Sequence, residues 1–246
     1  MRHVVLIAGA LAADTDDMTG VDDKRDLQAR AAAAAVAVVA LVLAWLTYTR
    51  DGWIPFLSGV DFGIHELGHL LFMWAPRPVM VFAGSGLQVA VPLGLAAYFW
   101  WARSERLAAA LMLAWAGASL NNVSVYIYDA TRLALPLWGD FDGTAANHDW
   151  RYLLGPEVFD ALWATDAIAY TVRGASAVLL AAAFAIAMAT LVAPWLEARR
   201  ARMLEAHRAG LPVREPRTVP VRPAPDPAPG DDAADGDSRA TLERNG

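Results

Sequence analysis

His65-Glu66-Leu67-Gly68-His69 sets two imidazoles four residues apart with a carboxylate between them, an H-E-x-x-H arrangement. On a helix, residues i and i+4 stack on one face, so both rings reach a single metal ion. Glu66 falls near the same side and can act as general base toward a metal-bound water. That is the chemistry of metal-assisted hydrolysis, and nothing else in a chain with five histidines offers such a pairing. Asp61 stands four residues before His65, on the same stripe. It either accepts the second imidazole N–H of His65 and fixes its tautomer, or is a charge at the mouth of the helix.

A catalytic zinc ion usually has three protein ligands and a water, so two histidines leave one ligand to be found. The candidates are Asp129, which follows Asn121-Asn122 at the end of an apolar stretch, and His148, in Asn147-His148-Asp149-Trp150. In their plainer roles Asp129 is a helix-end charge and His148 a loop imidazole. As functional groups, His148 is a ligand or substrate-site residue with Asp149 as its orienter, and Asn121 and Asn122 are polar neighbours of the site. Two histidines and a carboxylate suit zinc, and the same set holds iron or cobalt. The chain has no cysteine, which excludes thiolate zinc sites, iron–sulfur clusters, disulfides and a cysteine nucleophile. Ser85 has no His or Asp near it in sequence and is not read as a nucleophile.

The elements that must position these groups are apolar. The 246 residues are 57% hydrophobic and 19% charged, with a net charge of −6. A soluble domain is about 45–50% apolar and about 25% charged. The composition therefore argues against an ordinary soluble globule, and the acidic balance argues against nucleic acid. Residues 31–49 carry no charge and are long enough to cross a hydrocarbon core of about 30 Å. Further apolar stretches run over 54–75, 79–102, 107–127 and 174–195. The second holds Asp61, His65, Glu66 and His69 near its middle, which puts the motif deep in the membrane, where ionisable groups are costly and functional by default. The third contains Gly84-Ser85-Gly86, Gln88 and Pro92, and a re-entrant, irregular segment is expected near 79–91.

The expected fold is an all-α integral membrane protein of about five transmembrane helices. Residues 1–30 form a polar, acidic N-terminal tail and 31–195 the membrane-embedded domain. A basic helix follows over 196–209, then a disordered, Pro- and Asp-rich tail over 210–246. Residues 128–173 form an acidic connection, with an interfacial amphipathic helix expected over 157–170. The tryptophans read as interfacial anchors. Arg199, Arg200, Arg202 and Arg208 favour a cytoplasmic C-terminus in the cell membrane. With five spans the N-terminus then falls outside, against the pull of Lys24, Arg25 and Arg30.

The H-E-L-G-H form inside a hydrophobic span resembles the site-2 protease class of intramembrane zinc metalloproteases. That class takes its third ligand from an Asp in a pattern like N-x-x-P-x-x-x-L-D-G. Asn121 and Asp129 have that spacing, while Ser124, Tyr128 and Ala130 stand where the pattern has Pro, Leu and Gly. The similarity covers about residues 54–130, as in a divergent, minimal member or a sister group, and it makes Asp129 the preferred ligand with His148 as replacement. What the resemblance implies is a zinc endopeptidase that cuts a membrane protein or peptide substrate in or near the bilayer. The alternative is a catalytically inactive membrane protein that binds transmembrane clients or metal.

Overall fold

The computed structural model describes residues 2–50, 52–135 and 147–210. The chain divides into two units, Met1–Arg200 and Ala201–Gly246. The bundle described here is the first; of the second, residues 201–208 are helical. The elements are α1 (Arg2–Thr49), α2 (Leu57–Leu71), α3 (Arg77–Ala97), α4 (Arg106–Asp129), α5 (Asp149–Leu154) and α6 (Thr165–Arg208), with no strand among the described residues. A single π turn, Tyr98–Ala102, extends α3, and a 3₁₀ turn, Leu162–Ala164, precedes α6.

Among the described residues four helices, not five, are long and apolar enough to cross a membrane: Lys24–Thr49, Arg77–Ala102, Arg106–Asp129 and Leu162–Arg208. The motif-bearing stretch becomes only α2, 15 residues long, or about 22 Å. The backbone of residues 2–30, expected as a solvated tail, continues α1. The irregular segment expected near 79–91 is regular helix, because α3 runs unbroken through Gly84-Ser85-Gly86 and past Pro92. Residues 157–159 are turn and 160–161 irregular, so the expected amphipathic helix over 157–170 is replaced by these, the 3₁₀ turn and the start of α6. Of the tail expected over 210–246, residues 211–246 lie outside the described residues.

Paired contacts fix the helix directions. Ala40 packs with Ala114, and Asn121 donates to the Thr47 carbonyl at 3.1 Å, so α1 and α4 run parallel. Ser176 donates to Gly117 O at 2.7 Å and Leu180 packs on Ala114, so α6 runs against both. α3 is antiparallel to α4, and α2 is antiparallel to α3 across the short Phe72–Pro76 connection. The starts of α3 and α6 and the ends of α1, α2 and α4 therefore gather at one end of the bundle, with α5. The α3–α4 connection marks the other end. α2 begins part-way along the bundle, where the buried Asp61 accepts from Trp115 Nε1 (2.8 Å) and Ser119 Oγ (2.9 Å) in the middle of α4.

Gly68 explains how closely α2 lies on α3. A Cβ there would collide with the carbonyl of Ala83 and sit 2.9 Å from Gly84 Cα. Small residues at such a crossing let helix backbones touch, and the Gly between Leu67 and His69 is used for that.

Candidate metal centre

His65 and His69 lie one turn apart on α2, with ring centroids 4.7 Å apart. The outer nitrogen of each ring is tied to α3. His69 Nδ1 faces the Met80 carbonyl at 3.0 Å, and that carbonyl only accepts, so the ring donates from Nδ1. His65 Nδ1 faces Gln88 Oε1 at 3.3 Å, Gln88 Nε2 donates to Asn122 Oδ1 at 3.0 Å, and Asn122 Nδ2 donates to Gly52 O at 3.3 Å. Polarity runs backwards along this chain. Gly52 O can only accept, so Asn122 turns its NH₂ to it and its oxygen to Gln88. Gln88 then turns its own oxygen to His65, which donates from Nδ1. Both Nε2 lone pairs are left facing inward.

They face a carboxylate. Asp149 Oδ2 is 2.9 Å from His65 Nε2 and 3.2 Å from His69 Nε2. Three electron-pair donors thus converge, and only a cation, either protons or a metal ion, lets them share that space. An ion held tetrahedrally at about 2.0–2.1 Å sets its ligands about 3.3 Å apart, close to the distances found. Glu66 belongs to the same cluster, with a carboxylate oxygen and one ring nitrogen of each histidine all within 4.8 Å of one another. Unlike Asp149 it is exposed, into a cavity of about 890 Å³ lined also by Arg50, Arg77, Tyr126, His148 and Tyr152. The residues fit a divalent ion, with His65, His69 and Asp149 as its holders.

Asp149, expected to orient His148 or to belong to the substrate site, is the carboxylate found beside both imidazoles, the place expected of Asp129. Asp129 is occupied elsewhere: its two oxygens accept from the backbone N–H of Ala134 (2.8 Å) and Leu135 (3.2 Å). His148 is buried and caps α5, its Nδ1 accepting from Arg151 N at 3.2 Å. Its proton is therefore on Nε2, which has no hydrogen-bond partner among the described residues and lies 3.5 Å from Asp129 Oδ2. Burial holds the His148 imidazole below its ordinary pKa, against the raising effect of Asp129 and Asp149. For Asp149, burial pushes the carboxyl up, but hydrogen bonds to His65 and His69 outweigh it and leave the group below the usual carboxylate value.

The other expected neighbours divide. Asn122 is part of the His65 relay, whereas Asn121 ties α4 to α1. Asp61 does not touch His65, because Trp115 and Ser119 claim it; Gln88 takes the orienting role instead. Two residues of the site were missed from sequence. Tyr126 stacks on His148 with centroids 4.3 Å apart, and its hydroxyl oxygen accepts from Asp149 N at 3.1 Å. Gly84 leaves the space that the imidazoles fill, since a Cβ there would lie 2.6 Å from His69 Nε2 and 2.7 Å from His65 Nε2. α5 is seated by Trp150 Nε1 donating to Ser85 Oγ (3.1 Å) and by Arg151 donating to Ala130 O (3.2 Å).

Gly84 gives a direct test. Gly84→Ala changes no ligand and is mild for a helix, yet its methyl enters the place of both Nε2 atoms. Metal content measured by elemental analysis is expected to collapse, while helix content by circular dichroism stays at the wild-type value. Full metal occupancy in the variant would mean that the Nε2 atoms are not the ligand atoms.

Comparison with protein-family models, with curated proteins and with solved structures finds no match for this chain.

Proposed function

We propose that the protein is a membrane-embedded zinc endopeptidase with His65, His69 and Asp149 as metal-holding residues and Glu66 as general base. The observation that carries this reading is the convergence of two Nε2 lone pairs and one carboxylate oxygen, with both imidazole tautomers set from outside. A bound zinc ion supplies Lewis acidity, lowering the pKa of its water and polarising a carbonyl. The chain's own residues do the rest. Glu66 takes the proton of the attacking water and returns it to the departing amine. Gln88 and Met80 O hold the imidazoles in their donor-ready form. Tyr126 already accepts from Asp149 N, so its O–H is free to donate into the cavity, toward the oxygen of the carbonyl under attack.

The four candidate spans support a multi-pass topology with the site near one surface rather than at mid-membrane. From Arg106 to Asn122, α4 climbs about 24 Å of a core about 30 Å thick. Asn122 is at the level of Gly52, and Tyr48 reaches Arg173 O. Arg50 and Arg173 thus mark a boundary level with the cluster, and the ionisable groups need not be buried in hydrocarbon. Exposed Trp53, Trp74 and Trp163 lie at the site end, with Trp100, Trp101 and Trp195 toward the other, as two interfacial belts require. An even number of spans also brings Lys24, Arg25 and Arg30 to the same side as Arg199 and Arg200, which removes the conflict that five spans create.

The metal test uses the full-length protein in detergent. About one zinc per chain is expected for the wild type and none for His65→Ala; zinc-free wild type after loading would sink the reading. The topology test exploits the absence of native cysteine. Single cysteines at Gln28 and Glu197 are expected to label from one side of sealed vesicles and one at Glu157 from the other. Labelling of Gln28 and Glu197 from opposite sides would exclude four spans.

A further inference from the structure

We propose that the cavity takes an acidic peptide segment, with carboxylates on both sides of the scissile bond held by Arg50 and Arg77. This deepens the endopeptidase reading and rests on it. Both arginines line the cavity that holds His65, Glu66 and His69. Among the described residues neither forms an ion pair; the arginines that do are Arg103 and Arg132. Arg77 is nevertheless placed: its guanidinium carbon lies 4.4 Å over the Tyr152 ring. Stacking fixes the plane of the group and leaves its N–H edge unspent, the disposition that suits a carboxylate.

By backbone position one arginine adjoins the support of each histidine. Arg50 adjoins the Gly52 end of the relay that runs through Asn122 and Gln88 to His65. Arg77 is at the start of α3, one turn before Met80, whose carbonyl holds His69. The only carboxylates lining the cavity are Glu66 and Asp149, among the described residues, and a divalent ion balances both. Among the described residues the arginines are then the uncompensated charge of the pocket, and a cleft of one sign concentrates ligands of the other. An arginine beside the support of each histidine calls for a ligand charged on both flanks of the bond to be cut. An acidic peptide satisfies that. A phospholipid carries its phosphate on one side of each ester and does not.

The test uses full-length, zinc-loaded Glu66→Gln protein in nanodiscs of phosphatidylcholine, so that binding is read without turnover. The probes are three fluorescein-labelled peptides of one apolar core, flanked on both sides by Asp, by Asn or by Lys. By fluorescence anisotropy the Asp peptide is expected to bind about 10–100-fold tighter than the Asn peptide, with the preference weakening as salt rises. With Arg50→Gln and Arg77→Gln added, the preference is expected to vanish while the Asn peptide binds as before. Arg50→Lys with Arg77→Lys is expected to retain part of it, and Arg77→Glu to shift it toward the Lys peptide. Equal or undetectable binding of the three peptides, or a preference that survives the double Gln change, overturns the proposal. So does loss of the preference when phosphatidylglycerol replaces phosphatidylcholine at fixed ionic strength, since the arginines then belong to lipid. Mass spectrometry of the same peptides with the Glu66 protein separates the two claims. Preferential binding without cleavage keeps the anion site and removes the endopeptidase reading; cleavage without preference does the reverse.

Discussion

Glu66→Gln is expected to keep the metal, the helix content and the thermal midpoint of the wild type, and to lose about 10²–10⁴-fold in the rate of the chemical step. Gln is nearly isosteric with Glu but cannot take up and return a proton at neutral pH. Glu66 is exposed in the cavity and has no hydrogen-bond partner among the described residues, so its replacement leaves no buried group orphaned. The natural substrate is read without bias by comparing membrane proteomes of cells that carry the wild type and the variant. A membrane protein accumulating uncut with Glu66→Gln identifies the substrate. A variant that fully rescues a deletion strain returns the protein to the class of inactive client binders.

Asp149→Ala is expected to abolish metal binding, and Asp129→Asn is not. Removing Asp149 takes away the one carboxylate that touches both imidazoles. Asp129 holds two backbone N–H groups and faces His148. Its conversion to Asn weakens a loop and should cost about 1–3 kcal/mol of stability. At saturating zinc, elemental analysis should find the ion in Asp129→Asn and none in Asp149→Ala. The opposite pattern would restore Asp129 as the ligand.

That contrast shows where sequence reading stops. His65, Glu66 and His69 are legible because a helix converts a spacing of four into adjacency. Lys24–Thr49 and the three other candidate spans are legible because charge-free length has few other uses. The place of Asp149 beside the histidines is not legible, because α5 reaches α2 only through tertiary contacts such as Trp150 to Ser85. Asp129 has the spacing of the site-2 protease pattern, but local backbone N–H groups compete for a carboxylate at a helix end. Asp61 shares the His65 stripe, yet α4 offers Trp115 and Ser119 closer at hand. Gly84-Ser85-Gly86 looked like a break in a helix. Its small residues serve contact instead, and only the partner helix reveals that. Residues 54–75 looked like a full span because mean hydropathy does not register that a helix starts half-way along a bundle.

The cluster joins two elements far apart in sequence. The histidines ride on a hairpin welded backbone to backbone at Gly68 and Ala83. Asp149 arrives from 84 residues away on a six-residue helix. A cation shared by the three atoms would then be a latch as well as a reagent, fastening the short α5 to the α2–α3 frame. Damage to the supports of α5, at Tyr126, His148 or Trp150, will then register as a looser latch and a weaker grip on metal well before it registers as unfolding.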